Sequence, residues 1–376
     1  MKISEMLVRE DFYSILEQTL SDNQCIIHAD GESICVIDAK NECDLFVNAQ
    51  LNSIMSAHPS RAVIDYLKTE YNVIGSPVRR LLVKSYLTAA TTFVKIFSQK
   101  GIKVAFDAGV DKNNILIYPC NKKIRLFDFG KGIVYTMLKR DFPSLYIDRE
   151  TKFRLENKTD FIPGIVEFGN GCYSEKIING MPLARISNPS FVERCKEDAY
   201  KKVKSLTLSD YPIKATDYIK QLKDTCLEQL KQKPSFKDAD VVACIFDSLF
   251  EVQPEEKLSL VISHGDFQPG NIWWDKDKKQ IVIIDWETVK LRSRFYDHAA
   301  LYYNLRREGT EQLVVDSLKA SSHIASFTPQ CSPASVAKIV MAEELAYQTE
   351  ELISFPGEIG IKEYIKVLDT FKTLKI

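Results

Sequence analysis

Between Asn114 and Lys139 the chain alternates short apolar, β-branched runs with turn residues, so NILIYP, KIRLFDF and GIVYTMLK read as three strands. DRETKFRLEN, Asp148 to Asn157, reads as a helix with Phe153 and Leu155 as its apolar contacts. After Pro163, GIVEFGNGCYSEKII reads as two strands around the turn Gly169-Asn170-Gly171. Asn179-Gly180-Met181-Pro182 breaks that pattern, and the period then becomes helical. Pro189–Leu206, Lys214–Gln232 and Asp238–Phe250 carry helix-type spacing with solvated Lys and Glu faces, and Tyr296–Arg307, Gln312–Ala320, Ser332–Ser354 and Lys362–Lys372 read as further helices. Before Asn114 the pattern predicts a helix over Val8–Leu20, strands within Cys25–Ile37 around Asp30-Gly31, and a helix over Ser76–Gln99. A strand-rich part followed by a helix-rich part predicts an α+β fold of two lobes, with a cleft between them as the natural ligand site. The expected divisions are a segment of open role at 1–105, a strand-rich lobe at 106–180 and a helical lobe at 181–376.

Composition narrows this picture without changing it. The chain has 376 residues, 45% hydrophobic and 27% charged, with a formal net charge of -1, which fits a globular protein of two or three structural units. No global basic surplus argues for nucleic acid as a partner. The nine cysteines are scattered, odd in number and without a CxxC pair, which points to reduced thiols in a cytoplasmic protein. Charges break every apolar run of MKISEMLVREDFYSIL, so it does not read as a signal peptide. The most apolar stretch, Leu81 to Phe97, is interrupted by Lys84 and Lys95. It reads as a packed helix rather than a membrane span or a membrane-surface helix.

The candidate chemistry is concentrated in HGDFQPGNIWWDKDKKQIVIIDWE, His264 to Glu287. Asp266 lies in a loop between an apolar run and the turn FQPG. Asn271 follows Pro269-Gly270, and Asp285 ends the strand-like run IVII. A hairpin turning at Asp275–Lys279 would bring Asn271 and Asp285 together. Two oxygen donors of this kind suit Mg²⁺, which takes hard oxygen ligands. A separate carboxylate can then orient an acceptor hydroxyl and accept its proton, which is what phosphoryl transfer from ATP requires.

These residues resemble the aminoglycoside phosphotransferase and choline kinase family, relatives of the protein kinases. The shared pattern is H-G-D, an Asn five residues after the Asp, and a strand ending in D-W-E, filled here by His264, Gly265, Asp266, Asn271, Asp285, Trp286 and Glu287. The resemblance covers about Asn114 to Tyr303 and implies a protein-kinase-like fold. It implies Asp266 as catalytic base, Asn271 and Asp285 as metal ligands, ATP or GTP and Mg²⁺ as cofactors, and a small-molecule hydroxyl as acceptor. It further implies a phosphate-binding lysine held by a helix glutamate, a role that falls on Lys139 and Glu150, and a hinge whose backbone near Lys176, Ile177 and Ile178 meets adenine. The phosphate loop falls on either Cys120–Lys123 or Gly130–Gly132. His264 and Asp297 are expected to support the catalytic loop rather than to react, and Glu287 to support or to bind the metal. Trp273 and Trp274 read as packing. Gln268 stands where protein kinases acting on Ser or Thr carry lysine, which leans away from protein substrates. Acidic residues in the helices from Pro189 to Phe250 (Glu193, Glu197, Asp198, Asp210, Asp217) can receive a cationic amine or form a solvated face. The expected activity is a phosphotransferase acting on an amino alcohol, an aminoglycoside, a sugar or a glycan. A protein or stress kinase, or a nucleotide-binding regulatory module without turnover, are the alternatives. The sequence leaves the oligomeric state open.

Overall fold

A computed structural model describes residues 2–23, 35–37, 43–72, 76–104, 106, 109–169, 171–207, 211–321 and 330–376. It has two compact units: Met1–Val192 with Trp273–Val282, and Glu193–Ile272 with Ile283–Ile376. The first is rich in strands and the second in helices, so the α+β class expected from the sequence is the class found.

The first unit is built on one antiparallel sheet. Its strands are β1 (Cys35–Ile37), β2 (Leu45–Asn48), β3 (Ser53–Ser56), β4 (Lys100–Lys103), β5 (Ile115–Pro119), β6 (Lys123–Asp128), β7 (Ile133–Leu138), β8 (Ile165–Gly169) and β9 (Cys172–Lys176). Among the described residues their order is β1-β4-β2-β3-β5-β6-β7-β9-β8. Successive side chains point to opposite faces. Ile115, Ile117, Ile124, Leu126 and Met137 thus share one face, covered by helices α1 (Ile3–Arg9) and α2 (Phe12–Asp22). Leu116, Phe127 and Val134 share the other, covered by α3 (Arg61–Glu70) and α4 (Pro77–Thr92).

Residues 1–105 therefore do not stand apart from the strands that follow. β3 pairs with β5 through Ile54 opposite Ile117 and Met55 opposite Leu116. The helix expected over Val8–Leu20 is broken at Glu10, which is extended at φ -143° and turns its carboxylate inward. The helix expected over Ser76–Gln99 is broken at Phe93 and resumes as the short α5 (Val94–Phe97). It is packed on one side only: Leu87 and Ala90 are buried, while Leu81 and Leu82 are exposed. Of the strands expected within Cys25–Ile37, only β1 falls among the described residues, and the turn residue Asn170 lies outside them. Between β7 and β8 runs α6 (Leu145–Glu156), which buries Tyr146, Ile147, Glu150, Phe153 and Arg154.

The first unit also holds a small sheet of β10 (Gly180–Pro182), then, after β11 (Tyr211–Lys214) and β12 (Lys257–Ser263) of the second unit, the hairpin β13 (Ile272–Asp275) and β14 (Gln280–Ile283). Glycine is required at 180, where a Cβ would lie 2.2 Å from the Trp274 carbonyl oxygen.

The second unit pairs β11 with β12 and β12 with β15 (Lys290–Ser293). Around these strands lie α7 (Pro189–Ser205), α8 (Ala215–Leu230), α9 (Ala239–Leu249), α10 (Tyr296–Tyr302), α11 (Glu311–Ala320), α12 (Pro333–Ile353) and α13 (Ile361–Lys372). α12 is the central helix, with 14 of its 21 residues buried, among them Glu343, Glu344 and Glu350. α10 stops short of the expected Arg307 because the chain reverses at Asn304, φ +56°. Among the described residues no helix is long and apolar enough to cross a membrane.

Candidate active site

β12 delivers the stretch Ser263-His264-Gly265-Asp266 into a tight loop. Gly265 adopts φ +87°, and a Cβ there would lie 2.5 Å from Arg292 Nη1 and 2.7 Å from the Thr288 carbonyl oxygen, so the loop needs glycine on both counts. Asp297, in the first turn of α10, pins the loop. Its carboxylate accepts from the His264 N–H at 2.8 Å, the Gly265 N–H at 3.0 Å and the Ser263 hydroxyl at 2.9 Å.

His264 is buried and ties this loop to the end of β14. Its Nε2 meets the Ile284 carbonyl oxygen at 2.9 Å, and its Nδ1 accepts the Asp266 N–H at 3.3 Å. A carbonyl on one side and an N–H on the other are both satisfied only by a neutral ring protonated at Nε2.

Asp266 keeps 22% of its side chain exposed. Three side chains orient it: Asn271 Nδ2 donates to Oδ2 at 2.8 Å, Gln268 Nε2 reaches both oxygens at 3.1 and 3.2 Å, and Arg306 Nε lies 3.5 Å from Oδ1. Arg306 is fixed in turn by Glu344 at 2.9 and 3.0 Å, by the Gly265 carbonyl oxygen, by the Tyr296 hydroxyl at 2.6 Å, and by stacking on the Tyr347 ring.

The hairpin brings Asn271 beside the residue that precedes Asp285, since the Ile284 N–H donates to the Asn271 carbonyl oxygen at 3.0 Å. With Nδ2 of Asn271 engaged by Asp266, the carboxamide oxygen is the atom it can offer to a cation. Asp285 is left-handed at φ +67°, ψ +55°, a conformation that costs a non-glycine residue about 1 kcal/mol. One carboxylate oxygen of Asp285 and one of Glu287 lie within 4.8 Å of each other. Two carboxylate oxygens at this spacing fit a hard divalent cation such as Mg²⁺.

In the first unit the expected Lys139–Glu150 pair is not formed. Glu150 is bonded by Lys123 Nζ at 2.7 Å and by Arg154 Nη1 at 3.1 Å, while Lys139 is paired with Glu10. The reason is strand parity. Lys139 follows Met137 by two residues and shares its face, under α1, whereas Lys123 shares the face of Phe127. Arg154 also binds Glu175, so the network runs Lys123–Glu150–Arg154–Glu175. Burial alone would raise the Glu150 carboxyl, but Lys123 and Arg154 beside it hold it below the ordinary carboxylate range.

Of the expected hinge residues, Lys176 ends β9 opposite Ile133, and the Ile177 N–H is already engaged by the Gly132 carbonyl oxygen at 2.9 Å. The Ile178 carbonyl accepts from the Gly180 N–H at 3.0 Å. Cys120–Lys123 forms the turn from β5 to β6, with the Cys120 N–H donating to the Lys123 carbonyl at 2.8 Å, and Gly130–Gly132 lies in the turn from β6 to β7. Sequence reasoning placed Lys123 in one of two candidate phosphate loops without pairing it with Glu150, and it missed Arg306 and Glu344. For Lys123 the alternation of KIRLFDF held a usable signal, since it places Lys123 and Phe127 on one face.

Residues 200–330, the stretch that holds Asp266, Asn271 and Asp285, match the model of the phosphotransferase enzyme family. This is the kinship that the motif from His264 to Glu287 suggested. Among solved structures, a Plasmodium vivax ethanolamine kinase is similar at 14% identity, covering 86% of this chain and 98% of its own, with a TM-score of 0.44. A choline kinase from Cryptosporidium parvum is similar at 14% identity, covering 70% of this chain and 90% of its own, with a TM-score of 0.41. An aminoglycoside 2'-phosphotransferase-IIIa bound to GDP is similar at 15% identity, covering 68% of this chain and 90% of its own, with a TM-score of 0.45. At these scores no residue role is transferred from them. A search of curated proteins returns no match.

Proposed function

We propose that the protein is a cytoplasmic ATP- and Mg²⁺-dependent phosphotransferase acting on a hydroxyl of a small molecule, an amino alcohol, an aminoglycoside or a sugar. The observation that carries this reading is the closed loop in which Asn271 bonds Asp266 while its backbone holds the strand end that leads to Asp285. Asp266 accepts the proton of the acceptor hydroxyl, with Asn271, Gln268 and Arg306 fixing the carboxylate's direction. Asn271 and Asp285 would hold Mg²⁺, with Glu287 beside Asp285, and the bound ion would neutralise phosphate charge. Lys123, kept in place by Glu150, is the phosphate-binding cation in this reading. Backbone groups of Lys176 and Ile178 meet adenine in preference to the Ile177 N–H, which Gly132 already engages.

The test is ATP consumption over a panel of amines, aminoglycosides and sugars, with the Asp266→Asn protein as blank. Asp266→Ala should lose turnover by orders of magnitude while nucleotide binding, read by calorimetry, survives. Asp285→Ala should weaken Mg-nucleotide binding itself. Full activity in Asp266→Ala overturns the assignment.

A further inference from the structure

α4 leaves the body of its unit with every residue from Ser76 to Leu82 exposed. Val78, Leu81 and Leu82 are 67%, 66% and 65% exposed, and beyond the end of the helix Phe93 and Ile96 are 55% and 76% exposed. A single exposed apolar side chain needs no explanation, but five along one helix and its continuation do. At helical spacing Val78, Leu81 and Leu82 fall on the side opposite Leu87, Ala90 and Thr91, the residues that α4 buries. Over the first turns of α4 the outer face is therefore apolar where a helix that merely covers its own core would be polar, and Ser85 and Thr92 continue that side as polar residues.

The charge along this segment of the chain has one sign. From Tyr71 to Phe106 the sequence contains Arg79, Arg80, Lys84, Lys95, Lys100 and Lys103 and no Asp or Glu, in a chain whose formal net charge is -1. Arg79, Arg80, Lys84 and Lys95 are exposed. A second copy of the chain seated on this face would bring the same cations against one another, which disfavours it. A surface that takes apolar side chains to a shallow depth and meets cations with anionic groups satisfies both features.

We propose that α4 and α5 form a docking surface for an anionic lipid bilayer. The helix lies along the interface, with Val78, Leu81, Leu82, Phe93 and Ile96 entering the boundary between headgroups and acyl chains. Arg79 and Lys84, which flank that face, sit among lipid phosphates and carboxylates.

The experiment is co-sedimentation of the full chain with vesicles of phosphatidylcholine alone or of phosphatidylcholine with phosphatidylserine. Binding is expected to the phosphatidylserine vesicles, weakening as salt screens the cations. The double variant Leu81→Gln, Leu82→Gln should lose about tenfold or more in partitioning, because buried apolar area sets the binding strength. Arg79→Gln, Lys84→Gln should lose the preference for phosphatidylserine. All four positions are exposed, so an unchanged melting temperature shows that both variants fold. Failure of the wild-type chain to bind phosphatidylserine vesicles overturns the proposal, as does binding that both variants retain. Self-association, or binding to an acidic protein, that the same variants abolish in the absence of vesicle binding also overturns it. None of these readouts uses phosphoryl transfer, so the result is independent of the proposed activity.

Discussion

Lys123 and Lys139 are both buried at the ends of strands, and the parity of those strands separates their roles. Lys139 is paired with Glu10 in a pocket where burial pulls its ammonium below the ordinary lysine range and Glu10 pulls it back up. Removing one member of such a pair strands the other as a buried charge. Lys139→Met should therefore destabilise the fold by about 3 kcal/mol, read as a lower denaturation midpoint, and leave nucleotide affinity of the folded protein unchanged. Lys123→Met should do the reverse in function, lowering kcat/KM for ATP by about a hundredfold as the cation proposed to meet the phosphates is lost. An ATP affinity that follows Lys139 and ignores Lys123 would return the phosphate role to the residue the sequence first suggested. The sequence pointed to Lys139 because it ends a strand, and the face on which β7 points was not read; on the Lys123 face β7 carries Thr136. The supporting roles of His264 and Asp297 were legible only through the family resemblance, since the Ile284 carbonyl, the Ser263 hydroxyl and the His264 N–H that meet them lie 20 to 34 residues away along the chain. Arg306 was not, because it reaches Asp266 only through the chain reversal at Asn304 and the hold of Glu344 on another helix.

At the scale of elements, α12 governs the second unit through three buried carboxylates. Glu344 holds Arg306, Glu350 accepts from Lys290 at 2.8 Å, and Glu343 accepts from Ser293 and the Tyr218 hydroxyl. Burial pushes the Glu343 carboxyl up to about 7, with the bonds from Ser293 and Tyr218 offsetting part of the rise. Its folded value thus lies above the ordinary 4.5, so the stability tied to its protonated form is fully present below pH 4.5 and lost as pH climbs to about 7. The expected loss is on the order of 3 kcal/mol. Glu343→Gln should flatten the dependence across that window in chemical denaturation at pH 5 and pH 8. A variant as steep as the wild type would show that the titrating group lies elsewhere. Glu150 acts with the opposite sign: held below 4.5, it supports the fold at neutral pH and loses that support as pH falls, so the two windows do not overlap. Elements were legible in the sequence where short β-branched runs are bounded by turn residues, as in β5 to β9. β2 and β3 were missed because all four residues of each are buried and show no alternation to read.

For the molecule as a whole, the consequential feature is that the first 105 residues help build the sheet on which the proposed phosphate-binding network is mounted. β3 is the hydrogen-bonding neighbour of β5, α1 and α2 cover Ile117, Ile124 and Leu126, and α3 covers Leu116 and Phe127. Deleting 1–105 would uncover both faces of β5 to β7, leave the edge of β5 unpaired and strip Lys139 of Glu10. An exposed edge beside an uncovered apolar face is an aggregation site. The fragment 106–376 should accordingly give no cooperative thermal transition, form aggregates on sizing and be cut rapidly by protease within 115–138, whereas the full chain melts in a sigmoidal step. Supplying residues 1–105 as a separate chain should restore part of the fold if the loss is one of strand and helix contacts alone. A fragment 106–376 that melts cooperatively and binds ATP as the full chain does would instead make the N-terminal segment a separable unit, and the shared sheet a matter of docking rather than of folding.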